Sequence, residues 1–415
     1  MNVKYRRYLY FVCALVAVSS FLVPGAPVNP SPVNAQTGIM RWDTVNTPYA
    51  DLGKYDLLNP YIGGNFTGSE IRDLSIGSNG TTIIAAVTVD NRTVDASYTG
   101  GPWGILMGSI NGGISWSMSS YLHLVTHSGW NAANQVYHVL IAPDDPKIWA
   151  LTAGTIVNGP TELWVTQDGG AAWSNANVPA LDLVAGEAIG AMDISIDYGT
   201  GRDVMVATRS GGGNGRIFNT KMSGFSSWAQ QADPEPGIDY FAVRFSPTYQ
   251  GDNSVVFVYA DDNQTCYNIG LRDIHNNTIL QWVFPGEGIE VSVGDNISPC
   301  YYSLAGADLS LPSDFSGVSN SLRRTFVSLF SSTPGVTDNV TGIYRIDDSV
   351  VAALMPTTTA ARQIYSIAFF GTYSQGKLVA GLVHGSPCNA IVPILYMDTP
   401  CSCAGSCGYA SLKPP

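Results

Sequence analysis

The chain has 415 residues, a formal net charge of −12 and only 13% charged residues, whereas 45% of its residues are hydrophobic and 44 are glycine. Few Lys and Arg residues in an acidic chain argue against nucleic acid and anionic membrane surfaces as partners. Abundant Gly, Ser, Thr and Asn residues are typical of an extracellular β-protein whose turns are polar without being charged.

The N-terminus has the features of a secretory signal peptide. Lys4, Arg6 and Arg7 precede the apolar run 8–23, and a Pro-rich segment with small residues ends at Ala35. We expect residues 1–35 to be removed on export, which leaves a secreted or cell-surface chain. An uncleaved membrane anchor is the alternative, but the apolar run contains two serines and is shorter than the about 20 apolar residues that a span needs. No later apolar stretch is long enough, so we expect no membrane insertion after cleavage.

The remaining sequence repeats with a period of about 55 residues. Trp116, Trp173, Trp228 and Trp282 mark the period. Each unit opens with a strand signal in which apolar and polar residues alternate. The six openers lie at 71–76, 137–142, 192–196, 241–246, 307–311 and 364–369.

Up to three further strand signals follow each opener. The second is rich in apolar and β-branched residues. The third precedes the turn in every unit except the one that opens at 241, and the fourth carries the Trp where the unit has one. Four short strands in each unit are the signature of propeller blades. We therefore predict one all-β domain over residues 36–415, a β-propeller of four-stranded blades with six visible units. No segment shows sustained helical periodicity.

The sequence leaves the closure of the ring open. The segment Trp42–Pro48 is suited to be a closing strand, because an unpaired sheet edge invites aggregation. The segment Tyr409–Pro415 looks like a duplicate of it. Either the last blade holds both strands, or the chain is a fragment of a longer propeller with seven or more blades.

Two units contain the same eight-residue turn motif, [S/T]-x-[D/N]-x-G-x-x-W. In a tight hairpin the Asx side chain can cap backbone N–H groups, and Gly can take the positive φ that a Cβ disfavours. The hydroxyl residue can bond across the turn, and the Trp closes it as an apolar lid. The motif positions are Ser109, Asn111, Gly113 and Trp116 in the first copy and Thr166, Asp168, Gly170 and Trp173 in the second.

This motif resembles the Asp-box, or BNR repeat, of the β-propellers of sialidases, sortilin-type receptors, xyloglucan hydrolases and photosystem assembly factors. In those families the box lies on the outer hairpin of a blade, away from the central site. The resemblance therefore implies a fold more than an activity. The units near 223–228 and 277–282 keep the Trp but lose the other motif residues.

The resemblance to sialidases would imply three arginines on the substrate carboxylate, a Tyr–Glu nucleophile pair and an Asp acid/base near the central channel. Arg72, Arg244 and Arg345 fall on predicted strands. However, the N-terminal Arg-Ile-Pro motif is missing, and no Tyr–Glu pair can be named. His123 and His127 are spaced by four residues, and we interpret them as polar residues of a loop within a blade.

A hydrolase of the xyloglucan-cleaving type would need two carboxylates that face each other across a cleft. Asp73, Asp193 and Asp308 occupy similar places in three openers, the strands that would line the channel. The alternative is a repeat-derived residue that hydrogen-bonds within its own blade. A ring of carboxylates could also hold Ca²⁺, but no D-x-D-x-D-G loop supports that interpretation.

The predicted mature chain contains six cysteines, and an even number in an exported protein favours disulfides. The simplest partition pairs Cys266 with Cys300 and leaves a cluster of four. The alternative is a metal knuckle formed by that cluster, but it lacks the C-x-x-C pairs that zinc ribbons use. The four clustered residues are Cys388, Cys401, Cys403 and Cys407.

These observations favour a non-catalytic binding or assembly module for a protein partner or an extracellular glycan. Self-assembly in a cell-envelope layer built from repeated subunits also fits the low charge and the disulfides. The alternative is a glycoside hydrolase, sialidase-like or xyloglucanase-like, that uses the channel carboxylates. We predict no cofactor, and no residue is assigned a catalytic or metal-binding role.

Overall fold

The first strand of every sheet lies on, or within a few residues of, an alternating segment predicted from the sequence. The computed structural model describes residues 71–90, 102–176, 183–223, 225, 227–261, 264–291, 304–331, 342–356, 362–384 and 394–398. All of them belong to one compact unit, Val45–Pro415. The six first strands are β1 (Ile71–Ile76), β4 (Gln135–Ile141), β8 (Ala188–Ile194), β12 (Asp239–Phe245), β17 (Leu304–Ser310) and β21 (Arg362–Gly371).

The second strand of each sheet is the most apolar. Ser254–Ala260 and Trp149–Gly154 are buried along their whole length, as expected of continuous apolar runs covered on both faces. The second strands are β2 (Ile83–Asp90), β5 (Trp149–Gly154), β9 (Asp203–Arg209), β13 (Ser254–Ala260), β18 (Arg324–Ser331) and β22 (Gly376–His384).

The third and outer strands complete the sheets, and the outer strands are mostly short. The third strands are β3 (Pro102–Ser109), β6 (Glu162–Thr166), β10 (Ile217–Lys221), β14 (Thr265–Asp273), β19 (Gly342–Asp347) and β23 (Ile394–Asp398). The outer strands are β7 (Ser174–Asn175), β11 (Ala229–Gln230), β15 (Thr278–Trp282), β16 (Ile289–Glu290) and β20 (Val350–Pro356).

The strands form six antiparallel sheets, and the chain runs through each sheet from its first strand outward. The first strand of each sheet contacts the first strand of the next, from β1 through β4, β8, β12 and β17 to β21. Sheets that follow one another around a shared set of inner strands are the blades of a propeller. The chain is an all-β propeller, as predicted. Within the described residues the sheets contain three to five strands, and four strands are found in only three of the six. The segments proposed to close the ring, Trp42–Pro48 and Tyr409–Pro415, lie outside the described residues, so the number of blades in the intact ring stays a prediction.

The third strand of the fourth sheet, β14, was not apparent in the sequence because polar residues interrupt its apolar pattern. Its Asn268 and Arg272 are both buried. Asn268 Nδ2 donates to the Phe284 carbonyl at 2.7 Å, and Arg272 Nη1 donates to Asp203 Oδ2 of the third sheet at 2.7 Å. Both polar side chains are therefore accommodated by partners distant in sequence.

The described ranges contain two short helices between strands, α1 (Ser119–Val125) and α2 (Tyr249–Asp252). The prediction of a loop at His123 was wrong, because α1 buries Tyr121 and Leu124 on one face but is too short to show a repeated helical period. His123 Nδ1 lies 3.1 Å from the Gly170 carbonyl oxygen, and the His127 ring packs edge-on against Trp164. Neither helix is long and apolar enough to cross a membrane.

The two turns that carry the repeated motif make matching hydrogen bonds. In the second turn Thr166 Oγ1 donates to Asp168 Oδ1 at 2.7 Å, and Gly170 N donates to Thr166 Oγ1 at 3.0 Å. Asp168 Oδ1 also accepts the backbone N–H groups of Ala171 and Ala172, each at 2.9 Å. The Trp173 side chain is buried below the turn.

In the first turn Ser109 Oγ donates to Asn111 Oδ1, and Gly113 N donates to Ser109 Oγ, both at 2.9 Å. Asn111 Oδ1 accepts Ser115 N at 2.9 Å. Gly113 has a φ of 83°, and Trp116 is buried. The hydroxyl and Asx side chains thus fix the same loop conformation in both sheets.

Candidate functional site

Every first strand carries a β-bulge in the same place. The pairing with the second strand shifts by one residue between Ile71 and Asp73 in β1, and at the equivalent place in the five other first strands. A bulge re-aims the side chains that follow it. Simple alternation counted from the strand start therefore assigns the wrong face to the residues beyond the bulge.

Five polar residues occupy the first or third position after these bulges. Because every second residue of a strand faces the same side, their side chains lie on the same face of the first strands. Asp73 and His138 are the first residues after the bulges of β1 and β4. Asp193, Arg244 and Asp308 are the third residues after the bulges of β8, β12 and β17. We call these five residues the central cluster.

Arg244 links two of the three carboxylates. Its Nη1 lies 3.5 Å from Asp193 Oδ1, and its Nη2 lies 3.5 Å from Asp308 Oδ1. His138 Nδ1 lies 3.5 Å from Asp73 Oδ2. The structure thus brings all three predicted channel carboxylates to the inner strands, and it adds one arginine and one histidine to them.

Each carboxylate also accepts a backbone N–H from the following sheet. The donors are Val139 to Asp73 at 2.9 Å, Phe245 to Asp193 at 2.6 Å and Ile367 to Asp308 at 2.9 Å. The expectation of a bond confined to the residue's own blade was therefore incomplete. The bulge turns each carboxylate toward the neighbouring first strand, so these residues fasten one sheet to the next.

Burial sets the charge behaviour of Asp193. The Asp193 side chain is only 9% exposed, and this burial raises the pKa of its carboxyl to about 6, against the opposing effect of the Arg244 guanidinium and of two backbone N–H groups. Burial likewise raises the pKa of Asp308, again opposed by Arg244. Burial alone would lower the pKa of Arg244, but the carboxylates of Asp193, Asp308 and Asp73 raise it.

We predict that the contribution of Asp193 to stability falls as the pH rises from about 4 to about 6. The folded-state pKa of about 6 exceeds the reference value of 3.8, so the unfolded state loses its proton first, and the ionised form disfavours folding by about 3 kcal/mol. In urea unfolding, the stability of the native protein relative to Asp193→Asn should decrease by up to that amount across this interval. A difference that does not change with pH would contradict the assignment.

The three arginines considered for a sialidase-type site lie on different strands. Arg72 lies in β1 and Arg244 in β12, both of them first strands. Arg345 lies in the third strand β19, where its Nε is 3.0 Å from Asp347 Oδ2. The Arg72 side chain lies outside the described part of the chain. Of the two arginine side chains that the structure describes here, Arg244 belongs to the central cluster and Arg345 does not.

A cavity of about 260 Å³ lies where the first strands begin. We call it the rim cavity. The residues that line it are Gly186, Ala188, Arg209, Ser210, Gly211, Asp239, Phe241 and Leu304. Three of them, Ala188, Asp239 and Leu304, are the first residues of β8, β12 and β17, and Arg209 is the last residue of β9.

The rim cavity combines a fixed carboxylate with a guanidinium. Asp239 is fully buried and accepts Ser210 N at 2.8 Å and Gly213 N at 3.4 Å. Arg209 is exposed as a residue, but its guanidinium lies 5.6 Å from the centre of the Phe241 ring, a cation–π arrangement that orients it. Partial burial lowers the pKa of this guanidinium, and the Asp239 carboxylate opposes that effect. Gly190 makes room for the Arg209 side chain, since a Cβ there would lie 3.4 Å from Arg209 Cγ and Cδ.

Sequence reasoning did not find the rim cavity. Arg209 ends a strand directly before the turn Ser210-Gly-Gly-Gly213, and that Gly run is the signal that was available. It shows that a backbone turn follows, but not that a guanidinium, a carboxylate and an aromatic ring from two sheets meet there.

Among the cysteines, only Cys266 lies within the described ranges. It is fully buried on β14, and no described residue forms a disulfide with it. Burial raises the pKa of its thiol well above the ordinary range. Its predicted partner Cys300 lies outside those ranges, as do Cys388, Cys401, Cys403 and Cys407. The predicted disulfides therefore stay predictions.

No protein-family model matches the sequence, and no curated protein is similar to it. The solved structures that share its architecture include a Trypanosoma rangeli sialidase bound to the inhibitor DANA, with 10% identity, a TM-score of 0.45 and coverage of 76% of this chain and 53% of the sialidase. The β-propeller domain of Myceliophteria thermophila Cps50 (Swd1) has 10% identity, a TM-score of 0.41 and coverage of 75% and 79%.

The Niastella koreensis GH74 enzyme is another structural neighbour, with 11% identity, a TM-score of 0.34 and coverage of 76% of this chain and 64% of the enzyme. At these identities and TM-scores the similarity carries no information about function.

Proposed function

We propose that the protein is a non-catalytic binding module, secreted or displayed at the cell surface, that holds a saccharide of an extracellular glycan in the rim cavity. The observation that carries this proposal is the Arg209 guanidinium, which lines the rim cavity beside the Phe241 ring and has the buried Asp239 carboxylate as a nearby counter-charge. Sugars need polar groups for their hydroxyls and apolar surface for their ring faces. A cavity of about 260 Å³ lies just below the range of small-molecule sites, which suits a single sugar ring.

The central cluster supports binding without catalysis. Each of its carboxylates is held by a backbone N–H of the next sheet, and Arg244 lies beside two of them. A general acid or base needs a carboxylate that can reach the substrate. Carboxylates held in this way are suited to fasten sheets together.

We also infer that the turns at Ser109 and Thr166 are Asp-box repeats, and that the intact ring has six blades or more. The matching hydrogen bonds of the two turns support the first inference. The succession of six sheets with adjoining first strands supports the second.

The proposal predicts that the mature chain binds a subset of saccharides on a glycan array, and that Arg209→Ala weakens this binding. Loss of a charge-assisted hydrogen bond should reduce affinity about 10- to 100-fold in titration calorimetry. Lys221→Ala is the matched control. Lys221 lies on β10 opposite Asp203, which is at the far end of β9 from Arg209. This variant removes one positive charge away from the cavity and should bind as the native protein does.

Equal binding by Arg209→Ala and the native chain would place the saccharide elsewhere. A chain that binds no saccharide but self-associates in sedimentation analysis would support a subunit of a cell-envelope layer instead.

Glycoside hydrolysis at the central cluster is a second candidate, favoured by the pKa of about 6 at Asp193 and the proximity of Asp308 to the same arginine. An acid whose pKa lies near the working pH can donate a proton to a leaving group. Hydrolysis of aryl glycosides by the native chain, lost in both Asp193→Asn and Asp308→Asn, would establish an enzyme. Saccharide binding without hydrolysis would leave the binding module.

A further inference from the structure

A group of side chains able to bind a metal ion lies at the fourth sheet, outside the rim cavity and the central cluster. Glu235 precedes β12, Asp261 follows β13, and Cys266 lies on β14 opposite Tyr259 and Glu290. The carboxylate oxygens of the two acids and the Cys266 Sγ all lie within 4.8 Å of one another. Residues from three separate chain segments thus converge at one end of this sheet.

Within the described residues, two atoms of this group have no partner that accounts for their burial. Cys266 is 0% exposed, and no described residue forms a disulfide with it. Glu235 Oε1 is buried, and within the described residues it has no hydrogen-bond partner. A buried polar atom without a partner is costly and calls for an explanation, such as a bound ion.

The ionisable neighbours of this group within the described ranges are acidic. Asp261, Glu235, Glu287 and Glu290 are the groups close enough to act electrostatically on the Cys266 thiol, and Glu290 lies opposite Cys266 in the strand pairing. A buried sulfur atom surrounded by carboxyl groups has the composition of a cation site, because ionised groups in such a place are normally paired or coordinate a metal.

The donor set selects the kind of cation. Calcium and magnesium take oxygen ligands, whereas a thiolate with carboxylates suits zinc. With zinc–sulfur and zinc–oxygen bonds of about 2.3 and 2.1 Å, ligand atoms lie roughly 3–4 Å apart. The observed spread of up to 4.8 Å therefore requires only a small contraction of the loops that carry Glu235 and Asp261.

We propose that Cys266 Sγ and one carboxylate oxygen each of Glu235 and Asp261 bind a zinc ion. The Cys266 thiol releases its proton to solvent when the metal binds, as metal–thiolate formation requires. Three protein ligands leave a fourth tetrahedral position for water. The cation lies in the fourth sheet, on the loops next to the start of β12, and it would fix those loops.

This site and a Cys266–Cys300 disulfide exclude each other, because a disulfide sulfur cannot supply the thiolate. The full mature chain should therefore be purified with and without reductant and then dialysed against Zn²⁺. We expect about one zinc per chain by elemental analysis of the reduced protein. Peptide mapping that finds Cys266 disulfide-bonded in the native secreted chain would overturn the proposal.

Substitution of Co²⁺ for Zn²⁺ tests the ligands directly. We expect a thiolate-to-cobalt charge-transfer band in the near ultraviolet, absent from Cys266→Ser. Because that variant changes a buried strand and could fail to fold, Glu235→Gln and Asp261→Asn provide the second test. Each should weaken Zn²⁺ binding about 10-fold or more, since each removes one charged ligand.

Asp273→Asn is the matched control. Asp273 is an acidic residue at the other end of β14, where it caps its own turn through Asn276. This variant should bind zinc as the native chain does. Zinc binding that Glu235→Gln leaves unchanged, or cobalt binding without the charge-transfer band, would place the metal elsewhere and refute the proposed site.

Discussion

Replacing Arg272 with methionine should lower the free energy of unfolding by about 3–5 kcal/mol. Arg272 and Asp203 form an ion pair whose side chains are both 0% exposed, with Nη1 and Oδ2 2.7 Å apart. The Tyr249 hydroxyl donates to the same carboxylate oxygen at 2.6 Å. Removal of the guanidinium leaves the Asp203 charge buried with hydroxyl partners only. Denaturant unfolding of the two proteins measures the difference.

Arg323→Met provides the control for this prediction. Arg323 Nη1 lies 2.8 Å from Asp348 Oδ1, but the two side chains are 16% and 36% exposed. Water can replace the lost partner there, so the expected loss is below about 1 kcal/mol. Equal losses in the two variants would show that burial does not determine the strength of these pairs.

The double variant Asp203→Asn with Arg272→Met separates the desolvated charge from the rest of the network. It should be more stable than Arg272→Met alone, because a neutral amide replaces the unpaired carboxylate. A double variant that is less stable than the single one would mean that Arg272 acts mainly through packing or through Asn277, whose Oδ1 accepts Arg272 Nη2 at 2.6 Å.

This ion pair also shows where sequence reasoning reached its limit. The inner and second strands could be predicted, since their residues alternate or are uniformly apolar, and those patterns follow from which faces are covered. Strand β14 could not, because Arg272 and Asn268 interrupt its pattern. Their buried polar groups form hydrogen bonds with Asp203 and Phe284. These partners are distant in the sequence or come from another sheet, so the local residue pattern does not reveal them.

The candidate sites likewise divide into residues that a sequence pattern predicts and contacts that only the packing of the sheets reveals. Asp73, Asp193 and Asp308 were identified because they recur at similar places in the repeat, and the structure brings them to the inner strands. Their contacts with the next sheet depend on the bulge in each first strand. The alternation of apolar and polar residues does not show where that bulge lies. The rim cavity and the Glu235–Asp261–Cys266 group depend on loops whose approach is set only by the packing of sheets.

Gly170→Ala should lower the free energy of unfolding by about 2–6 kcal/mol. Gly170 has a φ of +85°, and a Cβ there would lie 2.4 Å from Ser120 Oγ and 2.6 Å from Trp149 Cζ3. The positive φ costs about 1–3 kcal/mol for a residue with a Cβ, and the overpacking costs about 1–3 kcal/mol more. Trp149 cannot move aside freely, because its Nε1 donates to the Pro146 carbonyl at 2.7 Å and the side chain is buried.

Gly112→Ala in the first turn isolates the backbone contribution. Gly112 has a φ of +70°, and no atom lies within 4 Å of the Cβ position. Only the left-handed conformation is penalised there, by about 1–2 kcal/mol. Thermal or denaturant unfolding should therefore rank Gly170→Ala as clearly less stable than Gly112→Ala. Similar losses would mean that Ser120 and Trp149 yield to the new methyl group, and that the motif glycine is required for its φ alone. A larger loss at Gly170 would show that contact with Ser120 of α1 and Trp149 of β5 holds the second turn in place, in addition to the backbone conformation.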